Sequence, residues 1–337
     1  MKPGPLALTL GDPAGIGPEI VVKAWNELRG SGPPFLVVGD YQALASASAG
    51  GASILQKVIA PAEALTAFEH ALPVLDLPLR SPVVAGQPSP TAAPAIIQWI
   101  ETAVGLALSG AVAGVVTAPI AKAPLYEAGF KFPGHTEFLG ELTAAASFEG
   151  ARGPIMMLTA GGLRVSLVTV HSPLVKVSGL LTTEAIVNAG LVTAQALRRD
   201  FGIAEPRLAV AGLNPHAGED GGIGREEIDI VAPAVKALAD LGVAVTGPHP
   251  ADSLFPEEMR ERYDAAICLY HDQALIPVKM LDFWGGVNVT LGLPIVRTSP
   301  DHGTAFDIAG RGLARADSLI AAIRLADQIA KARIGAA

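Results

Sequence analysis

The chain has 337 residues, half of them hydrophobic, which is enough for about two domains with well-buried cores. Its net charge of −8 argues against a general nucleic-acid-binding protein, because such a protein needs a basic face. One cysteine, Cys268, excludes an internal disulfide framework and is typical of a reducing compartment. The start of the chain shows no secretory pattern, so we expect a cytoplasmic protein without a membrane or nucleic-acid partner.

Short apolar runs alternate with helix-like segments along most of the chain. One such segment begins with a threonine cap before Glu184 and ends at Gly202, and another ends at Gly242. This alternation predicts an α/β architecture with largely parallel strands. The strand-like runs are LALTL, FLVVGD, AGVVTAPI, RVSLVTV, RLAVAGL and DAAICLY.

The stretch from Thr102 to Ala121 carries no charged residue and is as long as the ~20 residues of a membrane span. Ser109 and Gly110 divide it, however, into a helix-like part and a strand-like part. The pattern therefore favours a core helix followed by a buried strand over a membrane span.

A glycine-rich loop, GDPAGIGPEI, follows the first strand at residues 11–20. It contains Gly15 and Gly17, but Ile20 stands where the dinucleotide fingerprint needs its third glycine, and no lysine follows as in a P-loop. Pro18 suits the first turn of a helix, and Glu19 suits its positive end. The loop alone fits either a ligand-binding turn or a tight connection between a strand and a helix.

Three histidines each come just after a predicted strand: His171, His216 and His271. Open α/β sheets bind ligands at the carboxyl ends of their strands, so these imidazoles are candidate ligands of one divalent metal ion. Each histidine by itself is also compatible with an ordinary loop or core position. Asp272 follows His271, and Asp252 lies in GPHPADSLF; either carboxylate is a candidate orienting group or base, although Asp252 also suits a turn cap.

Cations inside apolar segments are candidate phosphate or carboxylate ligands in a chain this poor in lysine and arginine. Each of them taken alone is more typical of a surface charge. The polar residues in these segments are Lys279, Asn288, Arg297 and His302, with His135 and Thr136 further upstream.

Several motifs together resemble the 4-hydroxythreonine-4-phosphate dehydrogenase family of the vitamin B6 pathway. The resemblance runs from about residue 6 to about residue 330, and it also includes similarity to the loops of isocitrate and isopropylmalate dehydrogenases. The motifs are GDPAGIGPE, GHTEFL, NPHAGE, PADSLF, YHDQALIPVK and GVNVTLGLPIVRTSPDHGTAFDIAGRG.

This resemblance implies two α/β/α domains that share a cleft, an isocitrate/isopropylmalate dehydrogenase-like fold, and a homodimer with shared sites. We expect residues 1–130 and 275–337 to form one discontinuous domain, and residues 131–274 to form a central domain with the metal ligands and the dimer interface. It also implies that both subunits contribute to a site for zinc, cobalt or magnesium. The implied metal ligands are His171, His216 and His271, and the implied substrate contacts are His135, Thr136, Lys279, Asn288 and Arg297.

The cofactor implied by the resemblance is NAD. Asp307 matches a position where related dehydrogenases hold the adenosine ribose, and a carboxylate there would repel the extra phosphate of NADP. Asp307 is otherwise suited to cap a following helix. The candidate cofactor contacts are Gly15, Gly17, His302, Gly303, Thr304 and Asp307.

The expected activity is NAD-dependent oxidation of 4-phosphohydroxy-L-threonine at C3, followed by decarboxylation. A related dehydrogenase of D-threonate or D-erythronate 4-phosphate, or of an aromatic cis-dihydrodiol dicarboxylate, is the nearest alternative. A phosphotransacetylase-like acyl-phosphate transferase and a non-catalytic phosphate or metal sensor are alternatives of other classes.

Overall fold

The computed structural model describes residues 4–48 and 54–336. The chain forms two compact units. The first unit combines Met1–Ala146 with Pro294–Gly335, and the second unit is Ser147–Leu293. Both units are mixtures of helices and strands, which confirms the predicted α/β class.

In the described residues, the first unit has six strands, and all of their pairings are parallel. The strands are β1 (Leu6–Thr9), β2 (Phe35–Gly39), β3 (Leu55–Lys57), β4 (Leu72–Asp76), β5 (Val115–Thr117) and β12 (Arg297–Pro300), in the spatial order β3-β4-β2-β1-β5-β12. The helices are α1 (Gly17–Leu28), α2 (Tyr41–Ser48), α3 (Ala64–Ala67), α4 (Ala93–Leu108), α5 (Lys122–Glu127), α6 (His135–Leu142) and α13 (Asp317–Ala336).

Helix α4 is a core helix of this unit. Together with the 3₁₀ turn that begins at Pro90, it is long and apolar enough to cross a membrane. It nevertheless contacts β1 and β2, and its Ile96, Trp99 and Ile100 are buried. It ends at Leu108 before the buried strand β5, so the uncharged stretch folds as a helix followed by a strand, as predicted.

The described part of the second unit also has six strands. They are β6 (Ile155–Ala160), β7 (Leu163–Leu167), β8 (Arg207–Ala211), β9 (Ala244–His249), β10 (Ala265–Cys268) and β11 (Val287–Leu291), in the order β11-β6-β7-β10-β8-β9. Strand β6 is antiparallel to both of its neighbours, whereas β7, β10, β8 and β9 run parallel. The helices are α7 (Val177–Leu180), α8 (Thr183–Phe201), α9 (Ala232–Asp240), α10 (Ala251–Leu254), α11 (Glu257–Arg260) and α12 (His271–Leu281).

Apolar residues cover both faces of the sheet in the second unit. Leu208 and Val210 of β8 belong to one cluster with buried residues of α8 and α9. Their neighbour Ala209 belongs to a second cluster with Ala274 and Val278 of α12. This alternation follows the two-residue period of a strand and explains why the parallel strands are almost continuously apolar.

The cap at the start of α8 is shifted by one residue from the prediction, and the helix ends at the predicted glycine. The side chain of Thr182, rather than Thr183, caps the helix by accepting a hydrogen bond from N of Ala185 at 3.1 Å. Gly202 ends the helix in the left-handed conformation, with φ of 68°. Both ends therefore use the polar cap and the glycine that the local sequence offers.

The two units change over at Ala146 and Leu293, not at the expected residues 130 and 274. The segment 131–146 contains α6, which contacts α4 of the first unit. The segment 275–293 contains most of α12, which contacts β6 and β7, and β11, which pairs with β6. Tertiary packing of these elements, which no local pattern reports, sets the observed boundaries.

Candidate active site

The three candidate metal ligands follow three neighbouring strands of the second unit. His171 comes after β7, His271 begins α12 after β10, and His216 comes after β8. The strands run parallel in the order β7-β10-β8, so their carboxyl ends lie at one edge of the sheet. That edge is where open α/β sheets bind ligands.

His171 and His271 line one cavity of about 310 Å³. Their ring centroids are 5.9 Å apart, with an angle of 42° between the ring planes. Nδ1 of His271 lies 2.7 Å from Oδ1 of Asp272, which lines the same cavity. This contact leaves Nε2 of His271 as the nitrogen that can bind a ligand, an arrangement common among metal-binding histidines.

His216 lies at a different cavity, of about 510 Å³, which it lines with Glu219, Asp220 and Glu227. In the described residues of one chain, no group of three His, Cys, Asp or Glu side chains is placed to hold a metal ion. One chain therefore brings together two of the three candidate imidazoles. Two neighbouring imidazoles fit zinc or cobalt as part of a ligand set, and further ligands must complete it.

The backbone that carries His216 is a left-handed turn. Residues 216–220 all have positive φ, between 44° and 82°, although only Gly218 among them is a glycine. Each non-glycine residue in this conformation costs about 1–2 kcal/mol. Such strain persists only where the surroundings fix the backbone, and it is common at functional sites.

Arg297, the first residue of β12, is a buried cation in the first unit. It is 2% exposed, and its Nη2 donates a 2.7 Å hydrogen bond to Oγ1 of Thr117 at the end of β5. Burial lowers the pKa of Arg297 to about 10, against the opposing effect of Glu137. The guanidinium therefore stays charged near neutral pH, as a site for phosphate or carboxylate requires.

His135 begins α6 near this cation, and the partly buried Thr136 follows it. Burial, followed by the charges of Arg297 and Lys122, holds the pKa of His135 well below its usual value, so the imidazole is neutral at pH 7. Nε2 of His135 and Oε2 of Glu137 are buried and have no hydrogen-bond partner in the described structure. Buried polar atoms are rarely unsatisfied, so this cluster is a candidate ligand site.

Lys122 and Glu137 join the cluster, although no sequence pattern singled them out as site residues. A Cβ atom on Gly134 would lie 3.5 Å from Oε2 of Glu137 and 3.7 Å from Nζ of Lys122. Lys122 is the first cation after β5. The histidines were selected because they follow parallel strands. The same rule, applied to lysine and arginine, would have selected Lys122.

The other two candidate substrate contacts belong to the second unit. Lys279 lies on α12, with Nζ 5.3 Å from the ring centroid of Phe283. Asn288 lies in β11, and its Oδ1 is buried without a hydrogen-bond partner among the described residues. The five candidate substrate contacts are thus divided between the two units.

The glycine-rich turn between β1 and α1 packs against the 302–307 loop. N of Ile16 donates a 2.9 Å hydrogen bond to O of Thr304, and N of Gly15 donates to O of Asp12. A Cβ atom on Gly15 would lie 3.0 Å from Cβ of Thr304. These amides already have acceptors, so this part of the turn is a packing element and not a phosphate cradle.

Glu19 connects α1 to a second loop. It is 8% exposed, and its carboxylate accepts hydrogen bonds from N of Ala314 at 2.9 Å and N of Gly312 at 3.3 Å. Nζ of Lys23 lies 2.7 Å from the same carboxylate and also donates to the carbonyl oxygens of Gly312 and Ala314. Glu19 therefore binds the backbone amides of this loop, and Lys23 binds its backbone carbonyl groups.

A cavity of about 690 Å³ lies beside these loops in the first unit. Gly15, Glu19, Asp40, Gly310 and Gly312 are among the residues that line it. Gly17, another candidate cofactor contact, does not line this cavity. It packs closely on Leu10, the residue that follows β1, and a Cβ atom there would meet the carbonyl oxygen of Leu10.

The 302–307 loop has an open side. Asp307 is exposed and lies well before α13 begins at Asp317, so it does not cap that helix. His302 is exposed too, and a Cβ atom on Gly303 would have no heavy atom within 4 Å.

The two candidate bases have different surroundings. Asp272 lines the cavity of His171 and His271, whereas Asp252 lies exposed on α10 and does not line it. The arrangement in one chain therefore connects Asp272, and not Asp252, with the paired histidines.

These features define an α/β protein with candidate ligand sites at the carboxyl ends of parallel strands. The family model of the pyridoxal phosphate biosynthetic protein PdxA matches residues 32–326. A protein of Caulobacter vibrioides named 4-hydroxythreonine-4-phosphate dehydrogenase is 71% identical over 333 residues, 99% of each chain. The chain belongs to the PdxA family, which confirms the resemblance seen in its motifs.

Solved structures agree with this assignment. The crystal structure of 4-hydroxythreonine-4-phosphate dehydrogenase from Klebsiella pneumoniae matches with a TM-score of 0.84 and 42% identity, covering 97% of this chain and 99% of that chain. A terephthalate 1,2-cis-dihydrodiol dehydrogenase from Burkholderia xenovorans matches with a TM-score of 0.63 and 30% identity, covering 96% and 98%.

Proposed function

We propose that this chain is a dehydrogenase that oxidises 4-phosphohydroxy-L-threonine at C3 with NAD. The product, 2-amino-3-oxo-4-phosphooxybutanoate, loses carbon dioxide to give 3-amino-1-hydroxyacetone 1-phosphate in the biosynthesis of pyridoxine 5′-phosphate. The observation that carries this proposal is the 71% identity, over 99% of both chains, with a protein named for this activity.

The buried cluster of the first unit supports a doubly anionic substrate. Arg297 is charged and held by Thr117, and Lys122 adds a second cation nearby. His135 is neutral, so its imidazole can donate or accept one hydrogen bond without adding charge. In this proposal, Arg297, His135 and Thr136 bind an anionic group of the substrate, and Lys279 and Asn288 stay candidate substrate contacts.

The metal site is proposed to combine His171 and His271 of one chain with His216 of a second copy. The 5.9 Å separation of the first two rings and the separate cavity of His216 support this division. A divalent ion held there, zinc, cobalt or magnesium, would supply polarisation of the substrate hydroxyl, which makes its proton easier to remove. Asp272 orients His271 and is the preferred proton acceptor; Asp252 is the second candidate.

Exposed apolar side chains on the second unit support a homodimer. Leu174, Val175 and Met280 are 70%, 88% and 81% exposed, and Phe283 and Trp284 are also exposed. Leu174 and Val175 are adjacent in the chain, and the rings of Phe283 and Trp284 lie 5.0 Å apart, so the exposed apolar side chains are grouped, as at protein interfaces. Leu174 lines the cavity of His171 and His271, so a second copy over this surface would lie next to the paired imidazoles.

The cofactor is proposed to bind along the 302–307 loop and the neighbouring cavity of the first unit. Asp40 and Glu19 line that cavity, and its described lining residues include no lysine or arginine. This lining disfavours the extra phosphate of NADP and supports NAD, with Asp307 as the proposed ribose contact. A cytoplasmic location is part of the same proposal.

The nearest alternative substrate is D-threonate or D-erythronate 4-phosphate, or an aromatic cis-dihydrodiol dicarboxylate. The 30% identity to the terephthalate dihydrodiol dehydrogenase supports the aromatic cis-dihydrodiol dicarboxylate as an alternative substrate. The buried cation cluster fits a phosphate or a carboxylate group on any of these substrates. The paired histidines, which are suited to a metal ion, favour oxidation over an acyl-phosphate transfer that needs no metal.

A substrate panel tests this proposal. Purified protein with zinc, cobalt or magnesium is given each candidate substrate and either NAD or NADP, and formation of the reduced cofactor is followed by absorbance. The expected result is fastest turnover of 4-phosphohydroxy-L-threonine with NAD. Faster turnover of another hydroxy compound, or equal efficiency with NADP, would contradict the corresponding part of the proposal.

A further inference from the structure

We propose that Glu227 is the positioning residue of His216, because its carboxylate holds the left-handed turn that presents the imidazole. This inference rests on the proposed function, in which His216 binds the metal ion of a second copy. Glu227 itself binds neither substrate nor metal in this account. It acts through the backbone on either side of His216.

The carboxylate of Glu227 is buried and accepts three hydrogen bonds from one short segment. Glu227 is 3% exposed. Its Oε1 accepts from N of Leu213 and from N of Asn214, both at 2.7 Å, and its Oε2 accepts from Nδ2 of Asn214 at 2.9 Å. Hydrogen bonds to an ionised carboxylate are stronger than neutral ones, so the backbone is fixed just before Pro215 and His216.

The same carboxylate is in close contact with the turn itself. A Cβ atom on Gly218 would lie 2.6 Å from Oε2 of Glu227, and one on Gly212 would lie 3.3 Å from Oε1. The absence of side chains at these two glycines lets the backbone approach the carboxylate on both sides of His216. Glu227 therefore contacts the chain before the turn and in the middle of it.

The turn needs such a support because its own residues do not favour it. His216, Ala217, Glu219 and Asp220 adopt left-handed backbone angles that non-glycine residues rarely adopt. Glu227 also begins a π-helical turn, Glu227–Val231, a local widening of the helix that is frequent at functional sites. Without the carboxylate, we expect the turn to relax toward ordinary backbone angles and to move the imidazole away from its ligand position.

The test compares divalent-metal binding in variants of the full-length protein. Zn²⁺ affinity is measured by competition with a chelating dye, and the absorption spectrum of the Co²⁺-loaded protein reports the number of ligands. The variants are Glu227→Ala, Glu227→Gln, His216→Ala and the double variant that combines His216→Ala with Glu227→Ala. Asp200→Ala is the matched control. Asp200 is a buried carboxylate on α8 that pairs with Arg199 and lies outside the cavity of His216.

The expected loss of Zn²⁺ affinity in Glu227→Ala is about 10- to 100-fold, as for other groups that orient metal ligands. The double variant should bind as weakly as His216→Ala alone, and the Co²⁺ spectrum of Glu227→Ala should resemble that of His216→Ala. Glu227→Gln keeps an acceptor for both backbone amides, so it should retain most of the affinity. The control should bind Zn²⁺ like the unmodified protein, even if its melting temperature falls.

Two outcomes separate the inference from the function on which it rests. If His216→Ala loses affinity but Glu227→Ala and Glu227→Gln do not, the positioning role of Glu227 is wrong and the metal proposal stands. If His216→Ala itself keeps full affinity, the proposed metal ligand set is wrong. An additional loss in the double variant beyond His216→Ala would also overturn the inference, because Glu227 would then act independently of His216.

Discussion

Nδ1 of His271 lies 2.7 Å from Oδ1 of Asp272 in the first turn of α12. The two side chains are adjacent in the chain, and both line the cavity that contains His171. A carboxylate on Nδ1 fixes the tautomer and the orientation of the ring and makes Nε2 a better ligand. Asp272 thus orients the candidate ligand His271 and is itself a candidate proton acceptor, and both residues lie at the start of α12.

The first prediction concerns this pair. Asp272→Ala should weaken Zn²⁺ binding about 10- to 100-fold, because His271 loses the group that orients it. Asp272→Asn, which keeps an oxygen acceptor, should weaken binding less. Asp252→Ala is the control, since Asp252 lies outside the cavity of the paired histidines. Equal affinity in Asp272→Ala and the unmodified protein, measured by dye competition, would show that Asp272 does not orient the ligand.

The second prediction concerns the buried guanidinium of Arg297. Arg297→Lys keeps the charge but cannot reproduce the planar geometry that reaches Oγ1 of Thr117. Lysine also cannot offer the two parallel hydrogen bonds that a guanidinium donates to an anion, and a hydrogen bond to a charged group is worth about 1.5–3 kcal/mol. KM for the phosphorylated substrate should therefore rise about 10- to 100-fold, with a smaller change in kcat. Steady-state kinetics of this variant beside Arg311→Lys, an exposed position, provides the comparison. A changed kcat with unchanged KM would place Arg297 outside the substrate-binding role.

The third prediction concerns pH and His135. Burial, with smaller effects of Arg297 and Lys122, holds the folded-state pKa of His135 well below its ordinary value of 6.5. The folded protein therefore binds fewer protons than the unfolded chain at acidic pH. The contribution of His135 to stability is present above about pH 6.5 and is lost as the pH falls below that value. Below that pH, protonation of this group opposes folding.

Thermal unfolding of the unmodified protein and of His135→Gln between about pH 7.5 and pH 5 checks this prediction. The melting temperature of the unmodified protein should fall more steeply with acidification than that of His135→Gln. His302→Gln, the loss of an exposed histidine, serves as the comparison variant. Parallel curves for the unmodified protein and His135→Gln would mean that His135 does not titrate in this way.

The fourth prediction concerns Glu19 and the loop at Gly312 and Ala314. Glu19→Gln removes the ion pair with Lys23 and weakens the acceptors of two backbone amides, so unfolding free energy should fall by about 1.5–3 kcal/mol in urea titrations. Asp240→Asn, which breaks an exposed pair with Lys236, should cost less than about 1 kcal/mol. KM for NAD should rise in Glu19→Gln only, because Gly312 borders the proposed cofactor cavity. Similar losses of stability in both variants would indicate that the pair of Glu19 and Lys23 contributes no more than an exposed ion pair does.

Much of the fold follows from local patterns, because strands and helices differ in the period of their apolar residues. The six predicted strand-like runs all contain observed strands, and Gly202 ends α8 as its position indicates. The antiparallel direction of β6 is not encoded by a local pattern, since it depends on pairing with β7 and β11. The boundaries of the two units depend on packing in the same way.

Part of the candidate site was accessible from the sequence, because parallel strands place the residues that follow them at one edge of the sheet. This rule selected His171 and His271, and the structure brings them together. It did not reveal the left-handed turn of His216, because glycine is the strongest signal of positive φ and the segment 216–220 contains only one, Gly218. It also did not reveal Glu227, because its hydrogen-bond partners, Leu213 and Asn214, lie 14 and 13 residues earlier in the chain. The proposed role of Glu227 also depends on its burial, which no local pattern reports.

Subunit complementation tests the central claim that the site is shared between two copies. His216→Ala and His271→Ala should each be inactive with 4-phosphohydroxy-L-threonine and NAD, because each lacks one ligand at every site. After the two variants are mixed, unfolded and refolded together, half of the sites in each mixed dimer regain all three histidines. About a quarter of the unmodified activity should therefore return in an equal mixture. Folded mixed dimers that form no NADH would contradict the claim.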